Sequence, residues 1–593
     1  MSMADLTHVF RPRPARILAD LRRRLRVSEL WLIVLSVGVG AMAGGLAVLQ
    51  VRISHTVQML IYHIDFEEHL SASARITLLE SLWLPAGGVA LGVLSWAVAR
   101  RRSAPLVDVV EANALHGGAL PLVDSAIVCG QTLISNGVGG SVGLEAAYAQ
   151  AGGAAASFLG RKLKLRRHDM RILVGAGAGA AIGAAFGAPL TGAFYAFEIV
   201  IGSYTPSAIA PVAAACLASV VSSQALGGIP YSIQIQTERA PDVAAYMLYG
   251  GLGLVCAMIG IAIMHITARV DQAVRSLPFP GYLRPMIGGF LLAAYALWSP
   301  QTMSAGHGAL HLDLSFGGAT ISFLATIFVL KTLASMTALG FGFRGGLFFA
   351  SLFLGTLLGQ IYAKLLAFTP LAEHLSTQNA ALVGMGALAV AIIGGPLTMS
   401  FLVLESTRDF GVAAATLAAA LIASTVVRER FGYSFSTWRL HLRGESIRSA
   451  RDVGWMRSLT AGRMMRLDVR TFAADGTVAE FRARFPLGST TRVILIDATG
   501  RYAGIVLTAA AFADDVPPEG KVLDLAINKD ATLRSEQDIE AIMRAFDAAE
   551  AEDLAVVDEE GRVLGLVGEA YVTRRYASEL ERQHLDLYGE AKL

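Results

Sequence analysis

The sequence predicts an all-α polytopic membrane domain with duplicated halves and broken helices, followed by an α/β cytoplasmic region. Three observations predict it. The 593-residue chain is 54% hydrophobic and only 16% charged, with mean hydropathy +0.53, whereas soluble domains carry roughly 25% charged residues. Two distant stretches spell nearly the same sentence: Gly187-Ala188-Pro189-Leu190-Thr191 running on through Phe194 to Glu198, and Gly394-Gly395-Pro396-Leu397-Thr398 running on through Phe401 to Glu405. Each follows a Gly/Ala-rich apolar run, Val174 to Gly183 and Val383 to Ala391. Matching Gly/Pro interruptions in two halves are the sequence mark of repeat-built transporters and point to the substrate site. Third, a smaller repeat of a different kind begins where the charge deficit ends.

Before any membrane segment, residues 1–29 hold Arg11, Arg13, Arg16, Arg22, Arg23, Arg24 and Arg26. Apolar segments then recur at 31–53, 76–99, 122–135, 144–160, 171–203, 206–227, 243–267, 283–298, 318–339, 346–367, 379–404 and 411–427. Several fall short of the ~20 residues a spanning helix needs or are interrupted by Gly and Pro. Such breaks are tolerated at membrane depth where protein or a water-filled cavity covers the freed backbone groups. Further basic clusters lie at Arg100 to Arg102, Arg161 to Arg171 and Arg428 to Arg443. The positive-inside rule puts all four, and with them both termini, on the cytoplasmic side, as suits a bacterial inner membrane or any plasma membrane. A basic cluster directly before a membrane helix does not point to nucleic acid. The first apolar segment is too long for a cleaved signal peptide. Cys129, Cys216 and Cys256 lie in apolar segments without metal-ligand spacing and read as packing residues.

After a linker at 441–459, Arg492 to Asp497 leads through Gly500-Arg501 to Gly504-Ile505-Val506. Leu554 to Asp558 leads in the same way through Gly561-Arg562 to Gly565-Leu566-Val567. Each copy reads as strand, acidic-Gly turn, strand, with amphipathic helices at 477–484 and 536–550. The pattern over 460–580, with a tail at 581–593, resembles a pair of CBS modules. Such pairs often bind adenine nucleotides. Here Thr508 follows the first copy with no matching aspartate, and Gly568-Glu569 follow the second, so a structural, dimer-forming module is the reading preferred over a nucleotide site.

Within 30–440 the chemistry gathers at helix starts. Gly139-Gly140-Ser141-Val142-Gly143-Leu144-Glu145 opens one apolar helix. A glutamate in the first turn of a membrane helix is costly to bury. The free N–H groups and dipole there favour negative charge, and the same feature makes the spot an anion site. Glu145 is therefore expected either to occupy the site or to swing away and admit an external anion. Gly342-Phe343-Arg344-Gly345-Gly346-Leu347-Phe348 opens a second such helix. Arg101-Arg102-Ser103-Ala104-Pro105 forms a basic turn before a short helix, and Tyr433-Ser434-Phe435-Ser436 closes the last apolar segment.

Together these elements resemble the CLC family of chloride channels and chloride/proton exchangers. Gly143-Leu144-Glu145 is similar to the family's Gly-(Arg/Lys)-Glu-Gly-Pro, which implies that Glu145 gates. Gly345-Gly346-Leu347-Phe348 is similar to its Gly-Gly-(Ile/Leu)-Phe-(Ala/Val)-Pro. The resemblance implies that Gly143, Leu144, Gly346, Leu347 and Phe348 bind the anion, that the halves are inverted, and that the assembly is a homodimer in the bilayer with one chloride pathway per subunit. No metal, catalytic residue or cofactor is implied.

The chain departs from the family pattern in four places. Ala146-Ala147 replace Gly-Pro after Glu145, and Ala350 replaces the last proline. The Gly-Ser-Gly-Ile-Pro motif falls on Arg101 to Pro105, so either Ser103 supplies the central hydroxyl or Arg102 stands in its place and concentrates anions at the inner mouth. The pore tyrosine falls on Phe435, with Tyr433 as its substitute. Proton-coupled members carry a second glutamate where this chain has Ile199, and family channels carry an apolar residue there, which favours a passive channel over an exchanger. Outside this family, another inverted-repeat anion transporter would use the glycine-rich helix starts equally well. An intramembrane metalloenzyme built on His307, His311 and Asp313 is disfavoured, because Gly306 and Gly308 argue for a loop there. Glu198 and Glu405 read as structural acceptors for backbone amides at a helix end.

Overall fold

The computed structural model describes residues 29–65, 68–102, 105–229, 240–315, 318–432, 434, 438 and 459–588. The chain divides into two compact units, Met1–Asp452 and Val453–Leu593.

The first unit is helical. Its elements are α1 (Glu29–Tyr62), α2 (Leu78–Ser81), α3 (Trp83–Arg101), α4 (Val109–Leu115), α5 (Leu122–Gly137), α6 (Glu145–Leu163), α7 (Arg167–Phe186), α8 (Pro189–Tyr195), α9 (Pro206–Ala225), α10 (Val243–Ser276), α11 (Arg284–Trp298), α12 (His307–Ser315), α13 (Ile321–Gly340), α14 (Phe348–Leu366), α15 (Thr377–Ile393), α16 (Pro396–Thr407) and α17 (Phe410–Arg430). Eight of the described helical segments are long and apolar enough to cross a membrane. The expected run 171–203 is two helices, and so is 379–404. Gly187 (φ 65°), Gly394 (φ 89°) and Gly395 (φ 76°) turn the chain at the breaks, and Pro189 and Pro396 start the next helix at its first position.

Packing repeats between the halves. A Cβ built on Gly152 of α6 would lie 2.1 Å from the Gly177 carbonyl oxygen of α7, and one on Gly177 would lie 2.4 Å from that of Gly152. Gly355 of α14 and Gly384 of α15 repeat this, at 2.3 and 2.5 Å. Only glycine lets backbones approach so closely, and small residues drive helix association in lipid. The halves also hold each other reciprocally. Glu198, on the π-helical turn Ala196–Ile201 that continues α8, accepts from the Leu397 amide at 3.1 Å, the Thr398 amide at 2.8 Å and the Thr398 hydroxyl at 2.7 Å. Glu405 accepts from the Leu190 amide at 2.8 Å, the Thr191 amide at 2.8 Å and the Thr191 hydroxyl at 2.6 Å. Each glutamate caps the N-terminus of the other copy's helix. The Phe194 and Phe401 rings stack between them at 4.4 Å. Contacts in which residue i meets j and j meets i define a twofold relation, so the duplicated sentence encodes a pseudo-twofold clasp. The structural role expected of the two glutamates is the one they hold.

The expected loop at His307 is helix α12. Gly306 (φ 99°) turns the chain just before it. The Ser71 hydroxyl then accepts from the Gly308 and Ala309 amides, at 2.9 and 3.3 Å, supplying from outside the cap that the local sequence lacks.

The second unit contains α18 (Ala461–Met464), β1 (Thr471–Ala473), α19 (Val478–Arg484), β2 (Arg492–Ile496), β3 (Tyr502–Leu507), α20 (Thr508–Ala511), β4 (Thr532–Arg534), α21 (Ile539–Ala549), β5 (Asp553–Val557), β6 (Val563–Gly568) and α22 (Glu569–Tyr588). The strands form two sheets of one topology, β1-β2-β3 and β4-β5-β6, each with a parallel then an antiparallel pair. Both antiparallel pairs shift register at the same place, Leu495/Ile496 and Val556/Val557. Ile494 and Ile505 from one repeat pack on Ala555 of the other. This is the twofold α/β arrangement that the CBS resemblance implies. Helix α22 runs past the expected boundary at 580.

Candidate functional site: two helix starts sharing one glutamate

The Gly-rich segments before α6 and α14 meet at a single antiparallel bridge. The Gly143 amide donates to the Gly346 carbonyl at 2.9 Å, and the Gly346 amide donates to the Gly143 carbonyl at 3.1 Å. The two helices therefore start side by side. Neither start is capped by the side chain of its own N-cap residue, Leu144 or Leu347, so the first-turn N–H groups converge on one place. The Glu145 side chain fills it. Glu145 is 4% exposed. Its Oε1 accepts from the Phe349 amide, in the first turn of the opposite helix, at 3.2 Å. Its buried Oε2 has no hydrogen-bond partner and lies 3.0 Å from where a Cβ on Gly346 would stand. Any side chain on Gly143 would collide with this carboxylate. A negative group held at two helix starts is the arrangement that favours anions.

Two of the expected anion contacts take a different role. The Gly143 and Gly346 amides are spent on each other and form the clasp, so they are not free donors. The helix-start amides of Leu144, Leu347 and Phe348 stand beside that clasp. The Phe348 ring packs on Phe186 at 5.3 Å and Tyr195 at 6.1 Å, and the His307 ring stacks on Phe349 at 3.8 Å. Behind the clasp, Arg344 is fixed by its amide to the Ser135 hydroxyl at 2.9 Å.

At the Arg101–Pro105 turn, Arg102 is not free to concentrate anions as the sequence reading had it. It forms an ion pair with Asp124 in the first turn of α5, and the second Asp124 oxygen accepts from the Val107 amide at 3.2 Å. Arg102 is 31% exposed and Asp124 is 1% exposed, so the carboxylate buries where the guanidinium does not. The pair straps the α3–α4 connection to α5. Ser103, Tyr433 and Phe435 lie outside the described residues. Ile199 is half-buried, and its Cδ1 and the Ser434 Cβ both border the space beside Gly394.

Two residues of this region were not singled out in sequence, Lys331 and Asp124. Each is the sole charge in its apolar segment, which is the signal that would have found them. Among the described residues no group of three or more His, Cys, Asp or Glu side chains could hold a metal ion. In the tail the Thr508 hydroxyl is buried without a partner, and the Glu569 amide is engaged by the Glu552 carbonyl at 2.9 Å.

A family model described as "Voltage gated chloride channel" matches residues 87–428. The chain belongs to the CLC family. A family member from Ralstonia nicotianae, named a putative chloride channel protein ClcB-like, is 30% identical over 315 residues, which are 51% of this chain and 72% of that one. A voltage-gated ClC-type chloride channel, ClcB, from Citrobacter koseri is 24% identical and covers 63% of this chain and 90% of its own. Among solved structures, that of a slow cyanobacterial Cl-/H+ antiporter superposes with TM-score 0.60 at 21% identity over 70% of this chain and 97% of that one. A eukaryotic CLC transporter superposes with TM-score 0.59 at 17% identity over 92% of this chain and 98% of its own. These two likenesses establish the CLC fold of the membrane unit. The family match over 87–428 assigns the family's activity, anion transport, to this chain.

Proposed function

We propose that the protein is a passive chloride channel gated by Glu145. The observation that carries the gate is the Glu145 carboxylate lying across two helix starts, bonded to the opposite one by a single N–H and with its second oxygen unpartnered. A dehydrated anion entering the same place meets the N–H groups that Glu145 vacates. Glu145 and the anion therefore compete. Protonation removes the carboxylate's charge and its claim on the helix starts, so acid on the outer side opens the path. Leu144, Leu347 and Phe348 supply backbone donors, and Gly143 and Gly346 hold the two starts together. Passive conduction rests on Ile199, an apolar side chain where proton-coupled relatives place a carboxylate. In the membrane the basic clusters put both termini on the cytoplasmic side, and a homodimer gives two such paths.

The test is chloride efflux from proteoliposomes under valinomycin clamp, with a pH electrode outside. A channel releases chloride and moves no protons against a gradient. Uphill proton movement driven by chloride would make the protein an exchanger, and the reading drawn from Ile199 would be wrong. In the same assay Glu145→Gln removes the acid dependence and raises flux at neutral pH. Acid activation that survives in this variant would remove Glu145 from the gate.

A further inference from the structure

Lys331 is a fully buried lysine, 0% exposed, in the middle of α13. Its Nζ donates to three consecutive backbone carbonyls, Thr302 at 3.2 Å, Met303 at 3.5 Å and Ser304 at 2.7 Å. An ammonium has three N–H donors and a neutral amine two, so three acceptors suit the charged form. The cradle is built at a cost. Ser304 adopts φ 49°, a left-handed conformation that costs a non-glycine residue about 1 kcal/mol. The cradle is also tied to the gate. The Ser304 amide donates to the Gly139 carbonyl at 2.9 Å, and Ser335, one turn along α13 from Lys331, bonds Ser141 at 3.1 Å. Gln58 of α1 joins Ser304 at 3.1 Å and the Asn136 carbonyl at 2.9 Å, and Asn136 holds the Val142 carbonyl at 2.8 Å. The lysine and the Gly139–Glu145 segment thus share one polar network.

Among the described residues no carboxylate forms an ion pair with Lys331. Buried charges are ordinarily paired. Glu145 is the buried carboxylate that follows this network, three residues beyond Val142, whose carbonyl Asn136 holds. We infer that Lys331 is the standing counter-charge of the anion site: it balances Glu145 when the gate is shut and the permeating anion when Glu145 has left. This inference rests on the gate proposed above and adds the residue that sets its pH range and its anion affinity. Lys331 touches backbone carbonyls only, so it acts on the anion through its field, as a positioning residue. Among the described residues, the other titratable groups near this pair are Tyr148 on α6, Tyr195 on α8, and His307 on α12 with His69 and His311 behind it.

Two folded variants test it, Lys331→Met, which removes all donors, and Lys331→Gln, which still donates to carbonyls but carries no charge. With the lysine charge gone, ionised Glu145 is less favoured and less acid is needed to open the path. The efflux midpoint should move to higher external pH by about one unit, a tenfold change in proton concentration. In a Glu145→Gln background, where no carboxylate competes, adding Lys331→Gln should raise the chloride concentration for half-maximal flux by about tenfold. Lys331→Gln that folds, as judged by size exclusion, with wild-type midpoint and half-saturation would make the lysine a structural peg and overturn the inference. Failure of the gate itself is separable. It shows as acid activation persisting in Glu145→Gln with Lys331 intact, while the half-saturation comparison still decides what Lys331 does.

Discussion

At the scale of single residues, the informative positions are charges in places hostile to charge. Arg102 and Asp124 are an unequal pair. Losing Asp124 leaves a guanidinium that is part exposed and can be rehydrated, whereas losing Arg102 strands a carboxylate in the interior. Arg102→Gln should therefore lower the melting temperature of the purified protein more than Asp124→Asn does. The reverse order would mean that the Val107 amide alone satisfies Asp124. Glu145 was legible in sequence because the glycines before it and the helix after it announce an exposed set of N–H groups. Lys331 was missed because its partners are backbone carbonyls. Carbonyls are everywhere in sequence, and only the left-handed turn at Ser304 aims three of them at one point.

At the scale of elements, the same sentence written twice was the most legible feature, and what it meant was not. The two Pro-Leu-Thr openings and the two glutamates each look self-contained, a helix start and its own later acid. The structure crosses them over, so that Glu198 serves Thr398 and Glu405 serves Thr191. Sequence periodicity cannot reveal a swap, because a local and a crossed contact use the same residues. The breaks at Gly187 and Gly394 were marked by the Gly-Pro interruptions, although glycine and alanine kept the hydropathy continuous across them. The glycine crossings give a prediction of their own. Gly152→Ala and Gly355→Ala each place a methyl group against a facing carbonyl, and each should destabilise by about 1–3 kcal/mol. Matching losses in melting temperature would show that the two halves use equivalent crossings. A neutral outcome at either site would show that the helices there are free to separate.

At the scale of the whole molecule, the membrane unit and the tail were separable in sequence by charge density alone. The boundaries of the tail were less so, since α22 continues past 580 on an amphipathic rather than an apolar pattern. Within the tail, the turn after β2 is held by Asp497, whose carboxyl is lowered below the usual range by a hydrogen bond from the Thr499 hydroxyl and then by the Arg501 amide. A lowered carboxyl stabilises the fold above its unfolded value, and that contribution disappears as pH falls through the folded one. Asp497→Asn in the full chain should loosen the β2–β3 hairpin at neutral pH, seen as faster amide exchange over 492–507. The difference from wild type should close as pH falls from about 5 to below about 3. A difference that stays constant across this range would assign the effect to the turn's shape and not to its charge.

The crossed glutamates also say something about how such a chain can be made. A half-molecule ending near Ile229 has a glutamate at 198 whose amides have not yet been synthesised, and a helix start at Pro189 whose cap is still to come. The duplicated unit is thus an unfinished object by construction, and a polypeptide caught halfway should be recognisable as such to quality control. Co-expressing two fragments cut between 229 and 240 should restore chloride efflux, while either fragment alone is degraded. If one half accumulates by itself, the clasp is an ornament of the finished protein and not a condition of its assembly.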